Sequence, residues 1–142
     1  MRTPRTRICL SAAAIGLIAT LGGCESPPAL RETTAWHGKT PIAASYRFGT
    51  LKTELPPGTS IETVMAASKG VLYRQGHTIE EASVTPSDGY LVALGGATSA
   101  YDKIKIRSKY QGGGVVLEIN IDPTTESRAR VVLESILQTL GL

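Results

Sequence analysis

Apolar residues recur along this chain with three different spacings. Ile8 to Leu21 is a continuous uncharged stretch, mostly apolar. From Tyr46 onward the spacing switches between two, the period of a strand, and three to four, the period of a helix. Tyr46 to Leu55 reads as a strand. Tyr46, Phe48, Thr50 and Lys52 alternate with Arg47, Gly49, Leu51 and Thr53, so the pattern leaves open which face is buried. Pro56-Pro57-Gly58 ends it. Thr59 and Glu62 have capping-box spacing and open a helix whose Ile61, Val64, Met65, Ser68, Leu72 and Gln75 share one side. Gly76 falls just past the helix end, where φ is often positive. Thr78 to Thr85 and Tyr90 to Gly95 are strands joined by the turn Pro86-Ser87-Asp88-Gly89.

The clearest alternation runs from Tyr101 to Tyr110. Ile104, Ile106, Ser108 and Tyr110 face one way, and Lys103, Lys105, Arg107 and Lys109 the other. After Gly112-Gly113-Gly114, residues Val115, Leu117, Ile119 and Ile121 alternate with Val116, Glu118, Asn120 and Asp122. Placing Tyr110 opposite Val115 sets Ser108, Ile106 and Ile104 against Leu117, Ile119 and Ile121. The same register sets Arg107 against Glu118 and Lys103 against Asp122. A one-residue slip would turn an apolar row into water, so this register is strongly specified. A last helix follows Pro123, with Ala129, Val132, Leu133, Ile136, Leu137 and Leu140 as its stripe.

These elements predict an α+β fold over residues 46–142. It is a single antiparallel five-stranded sheet in the order β-α-β-β-β-β-α, with two helices on one face. The first strand should lie beside the fifth, and the Lys103/Lys105/Arg107 face should stay uncovered. Residues 1–23 are expected to be a lipoprotein signal peptide, and residues 24–45, with Pro27, Pro28 and Pro41, a flexible tether.

The leader reading rests on three features. Arg2, Arg5 and Arg7 give a positive head. The fourteen residues Ile8 to Leu21 reach only ~21 Å as a helix, short of a ~30 Å hydrocarbon core. Leu21-Gly22-Gly23-Cys24 then has the form of a lipobox, with two small residues that let the backbone enter a peptidase site. Cys24 is the expected lipidation site and first mature residue; the plainer alternative is an ordinary secretory leader with an incidental cysteine. Several acyl chains, at ~0.8 kcal/mol per buried CH₂, would make the attachment effectively permanent. Glu25 is a weak match to an aspartate that would favour inner-membrane retention. The expectation is therefore a lipid anchor on the periplasmic side, at the outer membrane rather than the inner.

Removal of the leader changes the charge. The whole chain is +3, with fifteen Lys and Arg against twelve Asp and Glu. The leader holds Arg2, Arg5 and Arg7 and no acid, so the remainder is formally neutral. That balance gives no argument for nucleic-acid binding. Cys9 would leave with the leader, so no disulfide or thiol nucleophile is expected.

Little else carries chemistry. His37 and His77 stand in separate regions with no cysteine partners, a poor metal set, and His77 reads as an exposed residue past a helix end. Glu80 and Glu81 are adjacent on a strand and should point to opposite faces. Gly112-Gly113-Gly114 lacks the Lys-Ser/Thr of a phosphate cradle, and there is no Gly-x-Ser-x-Gly elbow. No enzymatic activity, metal or cofactor is expected. Trp36-His37-Gly38, in the tether, is either a partner-binding or docking segment or, more plainly, an aromatic that lies on the domain surface or against the bilayer interface. The possible interaction face is Lys103, Lys105, Arg107 and Lys109, together with the small apolar row Leu91 and Ala93. It would suit anionic headgroups or an acidic partner; the plainer reading is a solvated strand face partly neutralised by Glu118 and Asp122.

Four segments carry a resemblance: Phe48-Gly49-Thr50-Leu51, the Val64-to-Gly76 helix, the strand Lys103 to Arg107, and the closing helix Ser127 to Ile136. In that order, over residues 46–140, the chain resembles a family of small bacterial lipoproteins built on a domain of unknown function. The element order is also similar to helix-grip, TBP-like domains, including those of an outer-membrane assembly accessory lipoprotein. The resemblance implies the architecture and hands over no catalytic residue. The expected role is a membrane-anchored, non-enzymatic envelope protein that binds an envelope protein partner. The alternative is binding of a small apolar ligand or lipid between helix and sheet.

Overall fold

The computed structural model describes residues 32–37, 40–96, 102–123 and 125–142. In chain order the elements are β1 (Glu32–His37), β2 (Thr40–Arg47), β3 (Thr50–Leu55), α1 (Ile61–Arg74), β4 (Thr78–Val84), β5 (Asp88–Leu94), β6 (Lys103–Gln111), β7 (Gly114–Asp122) and α2 (Glu126–Leu140). The strands form one sheet in the order β1-β2-β3-β7-β6-β5-β4, and every neighbouring pair is antiparallel. The fold is α+β with two helices on a single antiparallel sheet, as the periodicity predicts. The sheet has seven described strands, not five.

Both extra strands come from the region before residue 50. The stretch Tyr46 to Leu55 is not one strand. It breaks at Phe48-Gly49, where φ is +48° and +77°, and Arg47 pairs with Thr50 across a two-residue turn. Two successive positive φ values match the right-handed twist of a hairpin. The expected tether likewise holds β1 and β2, paired from Glu32 opposite Ser45 to His37 opposite Thr40. Pro41 did not prevent this, because β2 runs beyond its pairing with β3, which covers Ala44 to Arg47. A missing ladder N–H costs little there.

The remaining topology agrees with the patterning. β3 lies beside β7, with Leu51 opposite Ile119. The β6–β7 register sets Tyr110 against Val115, Ile106 against Ile119 and Ile104 against Ile121. That face is the core. Ile104, Ile106, Leu117, Ile119 and Ile121 are buried against Val64, Leu72, Leu133, Ile136 and Leu137 of the helices. Ser60, not Thr59, caps α1: its Oγ accepts from the Thr63 N–H at 3.1 Å, while Thr59 Oγ1 donates to the Pro56 carbonyl. Thr59 thus closes the preceding turn, which leaves Ser60 in the extended backbone a cap requires.

Because strands and helices run antiparallel, each end of the domain collects a fixed set of termini. One end holds Glu32, the Phe48-Gly49 turn, Thr50, the C-terminal end of α1, Thr78, Leu94, Lys103, Asp122 and the start of α2. The other holds Pro56 to Gly58, the β6–β7 turn and Leu142.

Candidate functional site

The uncovered sheet face carries Lys103, Lys105, Arg107 and Lys109. The face is largely self-neutralised. Glu118 lies 3.5 Å from Lys52, Lys103 lies 3.8 Å from Glu80, and Lys109 lies 4.0 Å from Asp88. Arg107 stacks over Tyr90 with its guanidinium carbon 5.2 Å from the ring centre. Arg107 and Glu118 are opposite each other, yet the carboxylate turns to Lys52 on the next strand. A shallow hollow of about 280 Å³ remains between Thr50, Lys105, Arg107, Glu118 and Asn120.

Two expectations about this face are corrected. Leu91 and Ala93 are not on it. They pair with Ile106 and Ile104 and are 1% and 0% exposed beneath the helices. Alternation groups residues by face but does not say which group points out; the pairing with Ile104 and Ile106 decides it. Glu80 and Glu81 do not diverge either. A register shift between Ile79 and Glu81 inserts Glu80 as a bulge. Glu81 then pairs with Val92, on the side of Lys105, while Glu80 reaches Lys103 on that same side.

The second feature lies at the helix ends. A half-open cavity of about 380 Å³ is lined by Gln75, His77, Ile104, Arg128, Val131 and Val132, with Ser127 beside them. His77 is not exposed, as its position past a helix had implied, but 93% buried. The cause is the helix terminus. Gly76 has φ +82°, its N–H donates to Tyr73, and the His77 N–H donates to Leu72 at 2.9 Å. This paired closure turns the residue after the glycine back against the helix. Gly96 makes room for the ring: a Cβ there would come within 2.6 Å of His77 Cε1.

Around His77 the charges are arranged but committed. Arg128 Nη2, on the first turn of α2, donates to Asp102 Oδ2, and Asp102 is 1% exposed. Burial lowers the His77 pKa below 6.5; a hydrogen bond to the Gly95 backbone and the Asp102 charge oppose this, and Arg128 adds to it. The imidazole is therefore held neutral near pH 7. Its Nδ1 is buried without a hydrogen-bond partner. No carboxylate lines the cavity itself; Asp102 lies buried behind Arg128, close enough for its charge to act on His77. Asp102 Oδ2 accepts from Arg128, and no hydroxyl of the described residues is hydrogen-bonded to Nδ1. General-base catalysis needs a ring nitrogen within reach of the reacting proton.

No group of three His, Cys, Asp or Glu side chains able to hold a metal occurs among the described residues. No helix among them is long and apolar enough to cross a membrane. Leu21, Gly22, Gly23 and Cys24 lie outside the described residues, as does Gly38. Trp36 and His37 belong to β1, opposite Pro41 and Thr40. Sequence periodicity does not reveal the cavity, because its lining comes from three distant segments. The Gly76-His77 pair was its only local signal, since a residue following an αL glycine is often folded inward. Searches against models of protein families and against curated proteins give no match.

Proposed function

We propose that the protein is a lipid-anchored, non-enzymatic lipoprotein of the cell envelope, periplasmic and favouring the outer membrane, that binds a small apolar ligand in the cavity between α1, α2 and β6. The cavity carries this reading. Its volume of about 380 Å³ falls in the ~300–1,000 Å³ range of small-molecule sites, and Ile104, Val131 and Val132 give it apolar walls. Gln75 and Arg128 supply the few polar groups that orient a ligand. Anchoring rests on Leu21-Gly22-Gly23-Cys24 and the apolar run before it. The resemblance to small bacterial lipoproteins with a domain of unknown function supports the same assignment.

Val131 is 60% exposed at the cavity, so Val131→Trp fills it at little cost to stability. A fluorescent short-chain fatty acid should bind the native protein and bind Val131→Trp at least tenfold more weakly. Equal binding by both proteins, or by neither, rules the reading out. Anchoring is tested by labelled palmitate, which should enter the native chain and not Cys24→Ser.

One observation favours a second reading, an envelope protein partner on the sheet face. Among the described residues no carboxylate lies within 4.0 Å of Lys105, which borders the hollow with Arg107. Replacing Lys105 and Arg107 with Glu should then remove crosslinked envelope proteins without altering circular dichroism.

A further inference from the structure

The chain contains one phenylalanine, and it is 88% exposed. Phe48 occupies the first tip position of the β2–β3 hairpin and is the only described non-glycine residue with positive φ, at +48°. That position favours Asn, Asp or Gly; a bulky side chain there is strained. The turn is nevertheless held in place, since Asn120 Nδ2 donates to the Gly49 carbonyl at 2.9 Å. Arg47 lies alongside, its guanidinium carbon 5.0 Å from the ring centre. A firmly held aromatic therefore projects into solvent with a cation beside it.

Its location narrows what it meets. Glu32 pairs with Ser45, two residues before Arg47, so the chain enters the domain at the hairpin-tip end. Along the strand that separation is only ~7 Å. Eight Cα steps join Cys24 to Glu32, a reach of at most ~26–29 Å in any conformation. Isolated exposed apolar residues need no explanation. Exposed large apolar residues occur at both ends, Tyr73 and Leu94 at this one and Val84 and Tyr110 at the other, but Phe48 at 88% is the most exposed of them and the one that stands at a hairpin tip.

We infer that the Phe48-Gly49 tip seats in the interface of the bilayer that holds the Cys24 lipid. The inference rests on the anchored reading above. Phe48 enters the headgroup boundary, and Arg47 meets lipid phosphates, the pairing of aromatic and cation that membrane interfaces favour. The lipid keeps the domain at the surface, and the tip sets which end faces it.

The test uses the full chain, exported and processed by a bacterial host. Trp36→Phe with Phe48→Trp leaves the tip as the sole tryptophan. In vesicles of phosphatidylethanolamine and phosphatidylglycerol, its emission should shift to shorter wavelength and be quenched by lipids carrying a nitroxide near the headgroup. Mass spectrometry of the same sample reports acylation. An acylated protein with water-like, unquenched emission overturns the tip inference and leaves the anchor standing. An unacylated protein overturns both. A second measurement avoids the tryptophan. Hydrogen exchange at Gly49 and Thr50 should slow in vesicles for the native chain and not for Phe48→Asn. That variant should melt at the same temperature or higher, because asparagine suits the turn. Equal protection in both proteins also overturns the inference.

Discussion

Acidification should weaken the fold through His77 before the carboxylates titrate. Burial lowers its pKa from 6.5, against the Gly95 hydrogen bond and the Asp102 charge and with the help of Arg128. The unfolded chain therefore binds more protons than the folded one between the folded pKa and ~6.5. This contribution is complete above ~6.5, falls as the pH drops through that window, and is constant below it. A single group changes stability by at most ~1.4 kcal/mol per pH unit, a substantial part of a total of ~5–15 kcal/mol.

Urea melts of the native protein and of His77→Gln, from about pH 7.5 to about pH 5, measure this directly. Glutamine does not titrate and keeps an N–H able to reach the Gly95 carbonyl. The stability difference between the two proteins should shrink as the pH falls below ~6.5. His37 is present in both, so its titration cancels. Gly96→Ala should remove the same pH-dependent component by another route. Its Cβ would lie 2.6 Å from His77 Cε1, at a φ of +150° that alanine rarely adopts, so the ring must leave its site. Parallel pH profiles for the native protein and His77→Gln would refute the reasoning.

Two neighbours on β6 should respond oppositely to truncation. Ile106→Ala, at 0% exposure, should cost ~3 kcal/mol in urea melts, while Lys105→Ala on the uncovered face should stay within ~0.5 kcal/mol. Gly89→Ala should cost ~1–3 kcal/mol by overpacking, since a Cβ there would sit 2.5 Å from Met65 Cγ and 2.6 Å from Ser108 Oγ. Met65→Ala should relieve part of that cost in the double variant, as thermal melts would show.

The central hairpin was legible because two constraints agreed. Ile104, Ile106, Ile119 and Ile121 share a buried face in the same register that brings Lys103 opposite Asp122, and a one-residue slip would lose both. The first strands were not legible. β2 shows only Ile42, Ala44 and Tyr46 as its alternating row, after a proline, and Ile42 and Ala44 reach the core only because β3 folds back beside them. That fold-back depends on a turn at Phe48-Gly49, whose first residue has none of the usual turn chemistry. An aromatic at that point reads as the continuation of a strand.

The cavity illustrates a different limit. His77 is placed by the closure of α1, Asp102 by the entry to β6, and Arg128 by the first turn of α2. Each looked bland because the feature that gives it meaning is another segment's terminus. Antiparallel connection of every neighbouring strand, with α1 and α2 running between opposite ends, brings these termini together with the Phe48 turn and the point where the chain enters at Glu32. The uncovered face has the opposite character. Its cations lie in adjacent strands that also carry Glu80, Asp88 and Glu118, so the face's charge is largely cancelled by pairs formed within the sheet. A surface that largely satisfies its own charges gains less from an acidic partner, because at Lys52, Lys103 and Lys109 a new ion pair must replace an existing one. An apolar hollow of about 380 Å³ has no such internal competitor. That asymmetry, more than the number of basic residues, favours the cavity over the sheet face as the proposed binding place.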